Sequence, residues 1–136
     1  MSDISLWAQI KEDFSQPILN DPAINSKIEL FFNYPGVWAL VNYRIAHTLH
    51  VKGFKVIARA VMGLSQIITN MDIHPACTIG RRVFFDHAFG VVIGETTIIG
   101  QRVRLYQAVT LGAKRFAQDA NGMLEKGNCR HPILED

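Results

Sequence analysis

From Ile73 onward an apolar side chain returns every six residues, at Ile73, Ile79, Phe85 and Val91, in place of the helical period that precedes it. The residue four beyond the first two is small or β-branched, Cys77 and Val83, and Gly80 follows Ile79. The beat resumes two residues out of phase at Ile93, Ile99, Leu105 and Leu111, with Gly94, Gly100 and Gly112 following and Thr97, Val103 and Val109 in the small slot. Such a hexapeptide repeat is the signature of a parallel β-helix. Each hexapeptide supplies one short strand and one turn, three make a triangular coil, and stacked coils bury the aliphatic column inside.

Before residue 70 the spacing is helical: Ile4, Trp7, Ile10 and Phe14, then Val37, Leu40, Val41, Ile45 and Leu49, then Ile57, Ala60, Val61, Leu64 and Ile68. Pro17, Asp21–Pro22, Pro35–Gly36 and Gly53 fall between these runs and predict helix starts and stops. The expectation is an α+β chain, with an all-helical domain over 1–70 and a β-helix over 71–136 that carries a long loop at 112–132.

At 136 residues, 49% hydrophobic, with a net charge of +2, the chain is neither a disordered tail nor a strongly basic nucleic-acid binder. Lys55 and Arg59 interrupt its most apolar helical stretch, so no run approaches the ~20 residues of a membrane helix. The first residues lack a basic n-region followed by an apolar core, and a cytoplasmic location is expected. Cys77 and Cys129 are too few for a disulfide framework and lack zinc-ligand spacing, so both read as free thiols and no metal is expected.

The informative places are those where the repeat fails. At Phe85–Asp86–His87–Ala88–Phe89–Gly90, Phe89 occupies the small slot and the phase slips by two. A regular β-helix has no structural use for Asp-His at a turn followed by extra residues. After Leu111, Gly112 to Asn128 carries no repeat, turns at Asn121–Gly122, and leads into Cys129–Arg130–His131–Pro132.

Asp72–Ile73–His74–Pro75, Asp86–His87–Ala88, Val109–Thr110–Leu111–Gly112 and Arg130–His131–Pro132, with Asp21–Pro22–Ala23 and Tyr43–Arg44–Ile45–Ala46–His47 upstream, resemble the serine O-acetyltransferases. This hexapeptide-repeat acyltransferase family carries out the first step of cysteine synthesis. The resemblance implies a left-handed β-helix, an exception to the usual right-handed parallel crossover. It also implies acetyl transfer from acetyl-CoA to the hydroxyl of L-serine. By the same resemblance His87 is the general base, Asp72 fixes its tautomer, and His131 positions the hydroxyl or stabilises the oxyanion. Arg130 takes the substrate carboxylate, Asp21 and Asp86 face the amino group, and Thr110, Gly112 and Ala113 lie on the coenzyme side. These side chains suit the chemistry independently: a histidine titrates near neutrality, a guanidinium fork matches a carboxylate, and carboxylates match an ammonium.

Ala113 stands where the family commonly has a second glycine, and the loop before Arg130 is longer than the common form. Relatives continue for several coils beyond the position of Asp136, so the chain reads as C-terminally truncated. The family's tail that docks on cysteine synthase falls outside it, and that docking is not expected. A homo-oligomer, a trimer or a dimer of trimers, is implied, with His87 and the 112–132 loop completing one site from two chains. The alternatives are a hexapeptide acyltransferase with another hydroxyl acceptor, and a non-catalytic assembly module. His74 reads as a turn residue. His47 and His50, at the end of a predicted helix and without a third ligand, are expected to interact with the helix C-terminus. Cys129 reads as loop variation, and Lys114 and Arg115 as solvated.

Overall fold

The computed structural model describes residues 4–136 and begins with four helices, α1 (Leu6–Asn20), α2 (Glu29–Asn33), α3 (Pro35–Val51) and α4 (Lys55–Thr69). Ser5 caps α1 by accepting from the Ala8 N–H, Pro35 occupies the first turn of α3, where its missing donor costs nothing, and α4 ends at left-handed Asn70. Pro17, expected to break the chain's first helix, instead lies inside α1. It removes one ladder donor, but burial of Ile10, Asp13, Gln16 and Pro17 holds the last turn in place. Among the described residues no helix is long and apolar enough to cross a membrane.

A second difference concerns α4. The apolar stripe read from the sequence faces outward: Ile57, Leu64 and Ile68 are 53%, 65% and 78% exposed. The helix buries Ala58, Met62, Ser65 and Thr69 instead: Met62 joins the apolar core, the smaller Ala58, Ser65 and Thr69 let neighbouring backbone approach closely, and Asn42 of α3 donates to Ser65 Oγ at 3.0 Å.

Eight two-residue strands follow: β1 (Asp72–Ile73), β2 (Thr78–Ile79), β3 (Phe84–Phe85), β4 (Val92–Ile93), β5 (Ile98–Ile99), β6 (Arg104–Leu105), β7 (Thr110–Leu111) and β8 (Ile133–Leu134). They form three parallel sheets, β1-β4-β7, β2-β5-β8 and β3-β6, which are the faces of a stacked coil. Ile73, Ile79, Phe85, Ile93, Ile99, Leu105 and Leu111 make the buried column that the repeat predicts.

Register locates the irregularities. Asp72 pairs with Val92, twenty residues on, whereas Val92 pairs with Thr110, eighteen on, so the first coil carries two extra residues between β3 and β4. Backbone dihedrals identify them. Asn70, Gly90 and Ala108 each have positive φ two residues before a strand of the first sheet, while His87 (φ 62°) and Ala88 (φ 67°) form an additional left-handed pair. The second irregularity is the 112–132 loop, inserted between β7 and β8, with a Gln118–Leu124 bridge near its tip.

Helix α3 closes the first coil. Tyr43 Oη donates to the Cys77 carbonyl at 2.7 Å and accepts from the Ile79 N–H at 3.2 Å. Arg44 donates to the carbonyls of Ile79 and Gly80 at 2.6 and 2.7 Å and pairs with Asp13 of α1 at 3.0 Å. His47 Nδ1 lies 2.8 Å from the Pro75 carbonyl, so its partner is the β-helix rather than the C-terminus of its own helix.

Candidate functional site

The two departures from the hexapeptide repeat produce two polar clusters at different corners of the coil. The first surrounds the left-handed pair. Because His87–Ala88 is inserted into a turn, the His87 side chain projects outward and is 74% exposed, while Ala88 is fully buried beneath it. A non-glycine pair in this region of φ/ψ is held by its surroundings. The Ala88 and Phe89 N–H groups bond to the Asp86 and His87 carbonyls at 2.8 and 2.9 Å, and the start of α3 packs against the corner at Gly36, where a Cβ would overlap Phe85. His87 Nε2 is 3.8 Å from Asp86 Oδ1, and Arg104 is 3.9 Å from Asp86 Oδ2.

Asp21, at the end of α1, reaches the same corner. Its carboxylate accepts from Tyr34 Oη at 2.5 Å and from the Ala23 N–H at 2.8 Å. These bonds, Tyr34's foremost, hold the Asp21 carboxyl below the usual carboxylate range. Asp21, Tyr34, Asp86 and His87 line one cavity of about 200 Å³. Asp72, at the start of β1, is half-buried, and among the described residues no hydrogen bond or ion pair joins it to His87.

The second cluster sits where the loop rejoins the coil. Thr96 Oγ1 accepts from the Arg130 and His131 N–H groups at 3.0 and 3.2 Å, and His131 Nδ1 accepts from the Thr96 N–H at 3.2 Å. An acceptor Nδ1 leaves the proton of the neutral imidazole on Nε2, which is therefore a donor. Burial first, and Arg130 second, lower the His131 pKa and favour that neutral form. Arg130 Nη2 pairs with Glu95 Oε2 at 2.5 Å, and its guanidinium lies 6.0 Å from the Phe116 ring centroid. The Arg130 bond is the chief reason Glu95 is held below the ordinary carboxylate range.

Arg130, His131 and Gly112 line an open cleft of about 940 Å³ together with Lys114 and Arg115, both exposed as expected; Thr110 and Ala113 flank Gly112 on β7 and in the loop. The exposed Cys129 lines the same cleft, and Cys77 is buried, its thiol pushed up to about 12 by desolvation. Among the described residues no three His, Cys, Asp or Glu side chains converge as a metal site.

The structure thus unites Asp21, Asp86 and His87, and separately unites Arg130 with His131, but does not bring the two groups together in one chain. Glu95, Thr96 and Tyr34 are participants to which sequence reasoning assigns no role. Glu95 and Thr96 occupy ordinary polar turn positions of the repeat, and Tyr34 carries no signal beyond preceding Pro35–Gly36.

No family model matches the chain. It is 49% identical over 127 residues to the plasmid serine acetyltransferase of Synechococcus elongatus, covering 93% of this chain and 40% of that one. Among solved structures it is similar to serine acetyltransferase 1 of Entamoeba histolytica in complex with L-cysteine, with TM-score 0.85, 40% identity and coverage of 96% and 48% of the two chains. It is also similar to the Neisseria gonorrhoeae serine acetyltransferase in complex with serine, with TM-score 0.83, 29% identity and coverage of 99% and 52%. The chain spans about half the length of the relatives it matches or less.

Proposed function

Because the chain belongs to the serine acetyltransferase family over the segment it shares with these relatives, we propose that it moves an acetyl group from acetyl-CoA to the hydroxyl of L-serine. The observation that carries the proposal is the base corner. A two-residue insertion in an otherwise regular coil places His87 beside Asp86 and Asp21, in a cavity sized for a small polar ligand.

In this reading His87 removes the hydroxyl proton as the serine oxygen attacks the thioester carbonyl. The tetrahedral intermediate then expels the coenzyme thiolate, which takes the proton back from the imidazolium. Transfer is direct, and no acyl-enzyme forms. Asp21 and Asp86 bind the substrate ammonium. Arg130 binds its carboxylate, with Glu95 holding the guanidinium until that carboxylate arrives. Nε2–H of His131 donates to the developing oxyanion. Asp72 is assigned the orienting role of a triad carboxylate, and Thr110, Gly112 and Ala113 flank the thioester arm.

The two clusters line separate cavities, which supports a site completed by a second copy, with the Arg130 corner of one chain facing the His87 corner of its neighbour. The assembly is a homotrimer or a dimer of trimers built on a left-handed β-helix, and the reaction is that of cytoplasmic cysteine synthesis. Thiol release from acetyl-CoA with and without L-serine tests the proposal. Serine-dependent release should fall by about 10²–10⁴-fold in His87→Ala with the fold retained. Release that ignores serine, or survives in the variant, overturns it.

A further inference from the structure

The corner that holds His87 is built partly by a residue to which no role has been given. Tyr34 immediately precedes α3 with φ −123° and ψ 72°, and is followed by Pro35 in the first helical turn and by Gly36, which packs against Phe85 and Ala88. Its backbone is thereby fixed to the same turn that displays the catalytic imidazole. Its half-buried side chain reaches across the cavity of about 200 Å³ to donate to Asp21 Oδ2 at 2.5 Å, while Asp21 Oδ1 takes the Ala23 N–H at 2.8 Å.

We propose that Tyr34 is a specificity-determining positioning residue: its hydroxyl orients the Asp21 carboxylate in the cavity it shares with Asp86, and so selects acceptors that carry an ammonium beside the reacting hydroxyl. The claim rests on the reading that serine is the acceptor, and it assigns the amino-group half of that recognition to a residue outside the acid pair. Each Asp21 oxygen has one fixed donor and keeps lone-pair capacity for another, which is what a three-donor ammonium requires. A phenol bonded to a carboxylate is a charge-assisted donor with one preferred direction. Burial and the Asp21 bond push the Tyr34 hydroxyl up to about 12, so it keeps its proton and donates throughout the neutral range. Arg104 serves the other member of the pair: it lies 3.9 Å from Asp86 Oδ2 and donates to the Asn20 carbonyl at 2.9 Å, which ties the Asp86 side of the corner to the end of α1. With the hydroxyl gone, Asp21 keeps only the Ala23 bond to orient it.

Calorimetric titration of the full chain and of Tyr34→Phe with L-serine, and with 3-hydroxypropionate, which is serine without its amino group, tests this. L-serine binding should weaken about tenfold, the loss of one charge-assisted hydrogen bond, and 3-hydroxypropionate binding should change less than twofold. In an Asp21→Asn background Tyr34→Phe should add less than twofold, which separates action through Asp21 from a general loosening of the corner. Equal weakening for both ligands, unchanged serine binding, or full additivity with Asp21→Asn overturns the assignment. The predicted split between the ligands without any thiol release from acetyl-CoA would leave Tyr34's role standing and sink the proposed reaction. A wild-type chain that binds neither ligand sinks both.

Discussion

The imidazole of His131 lies directly over Gly94, so closely that a Cβ at position 94 would overlap its Cδ2 and Nε2. Glycine is needed there for space, since no positive φ is recorded at Gly94. Gly94→Ala should push the ring away from its Thr96 anchor while leaving the buried column of β4 untouched. For the oxyanion donor proposed at His131, a displacement near 1 Å costs on the order of 10²-fold in rate. Serine-dependent acetyl transfer should therefore fall by about that factor with Tm nearly unchanged, as read by a thiol assay beside thermal melting. A large Tm loss, or full activity, would mean that the His131 position is not what Gly94 secures. Much of the site was legible at this scale, because His87, Asp86, Arg130 and His131 stand where an otherwise strict repeat breaks. Glu95 and Thr96 escaped because polar residues in a repeat's turns look solvated until the loop from 112 to 132 folds back on them.

Helix α3 meets the β-helix through a buried polar seam, and Arg44 is its centre. With 6% of its side chain exposed, Arg44 satisfies two carbonyls of the first coil and neutralises Asp13, whose side chain is 1% exposed. Burial raises the Asp13 carboxyl and Arg44 opposes it, so removal of the guanidinium leaves only raising influences, burial and nearby Glu12. Arg44→Met should cost about 3–5 kcal/mol, the penalty for stranding one member of a buried pair. The sign of its pH dependence follows. A folded-state pKa raised above the unfolded value lets the protonated acid be tolerated at low pH, and stability is lost as pH rises through the folded pKa. The deficit relative to wild type should be smallest near pH 4 and grow toward pH 7 in denaturant titrations. A deficit independent of pH would show that Asp13 finds another partner. The helical period could not announce this seam, since the apolar run Val37, Leu40, Val41, Ile45 and Leu49 skips Tyr43, Arg44 and His47, and most of their partners are backbone carbonyls that no side-chain pattern encodes.

The β-helix was legible to the strand, because a period of six admits few other solutions and Ile79, Ile99 and Leu111 fall in the column it demands. The helical part was legible in its elements but not in its packing. Spacing alone cannot say which face of a helix turns inward, and α4 buries Ala58, Met62, Ser65 and Thr69 while its apolar stripe of Ile57, Leu64, Ile67 and Ile68 stays 53–82% exposed. An apolar stripe of this size left facing outward is the pattern of a helix that an assembly covers. The proposed two-chain site makes the same demand, because the Arg130 and His87 clusters line separate cavities of one chain. Leu64→Lys should lower the mass measured by sedimentation toward that of the single chain, because each buried Leu or Ile contributes about 1.5–3 kcal/mol to whatever covers it. The variant's Tm should lose the concentration dependence that assembly confers on wild type and converge with the wild-type Tm at high dilution, since Leu64 contributes little to the single chain's core. Serine-dependent thiol release should decline in step with mass if the Arg130 corner of one copy faces the His87 corner of another. Activity that persists in a monomeric variant would require the 112–132 loop to swing its cluster across to its own base corner, and the separation of the two cavities would then describe only the free state.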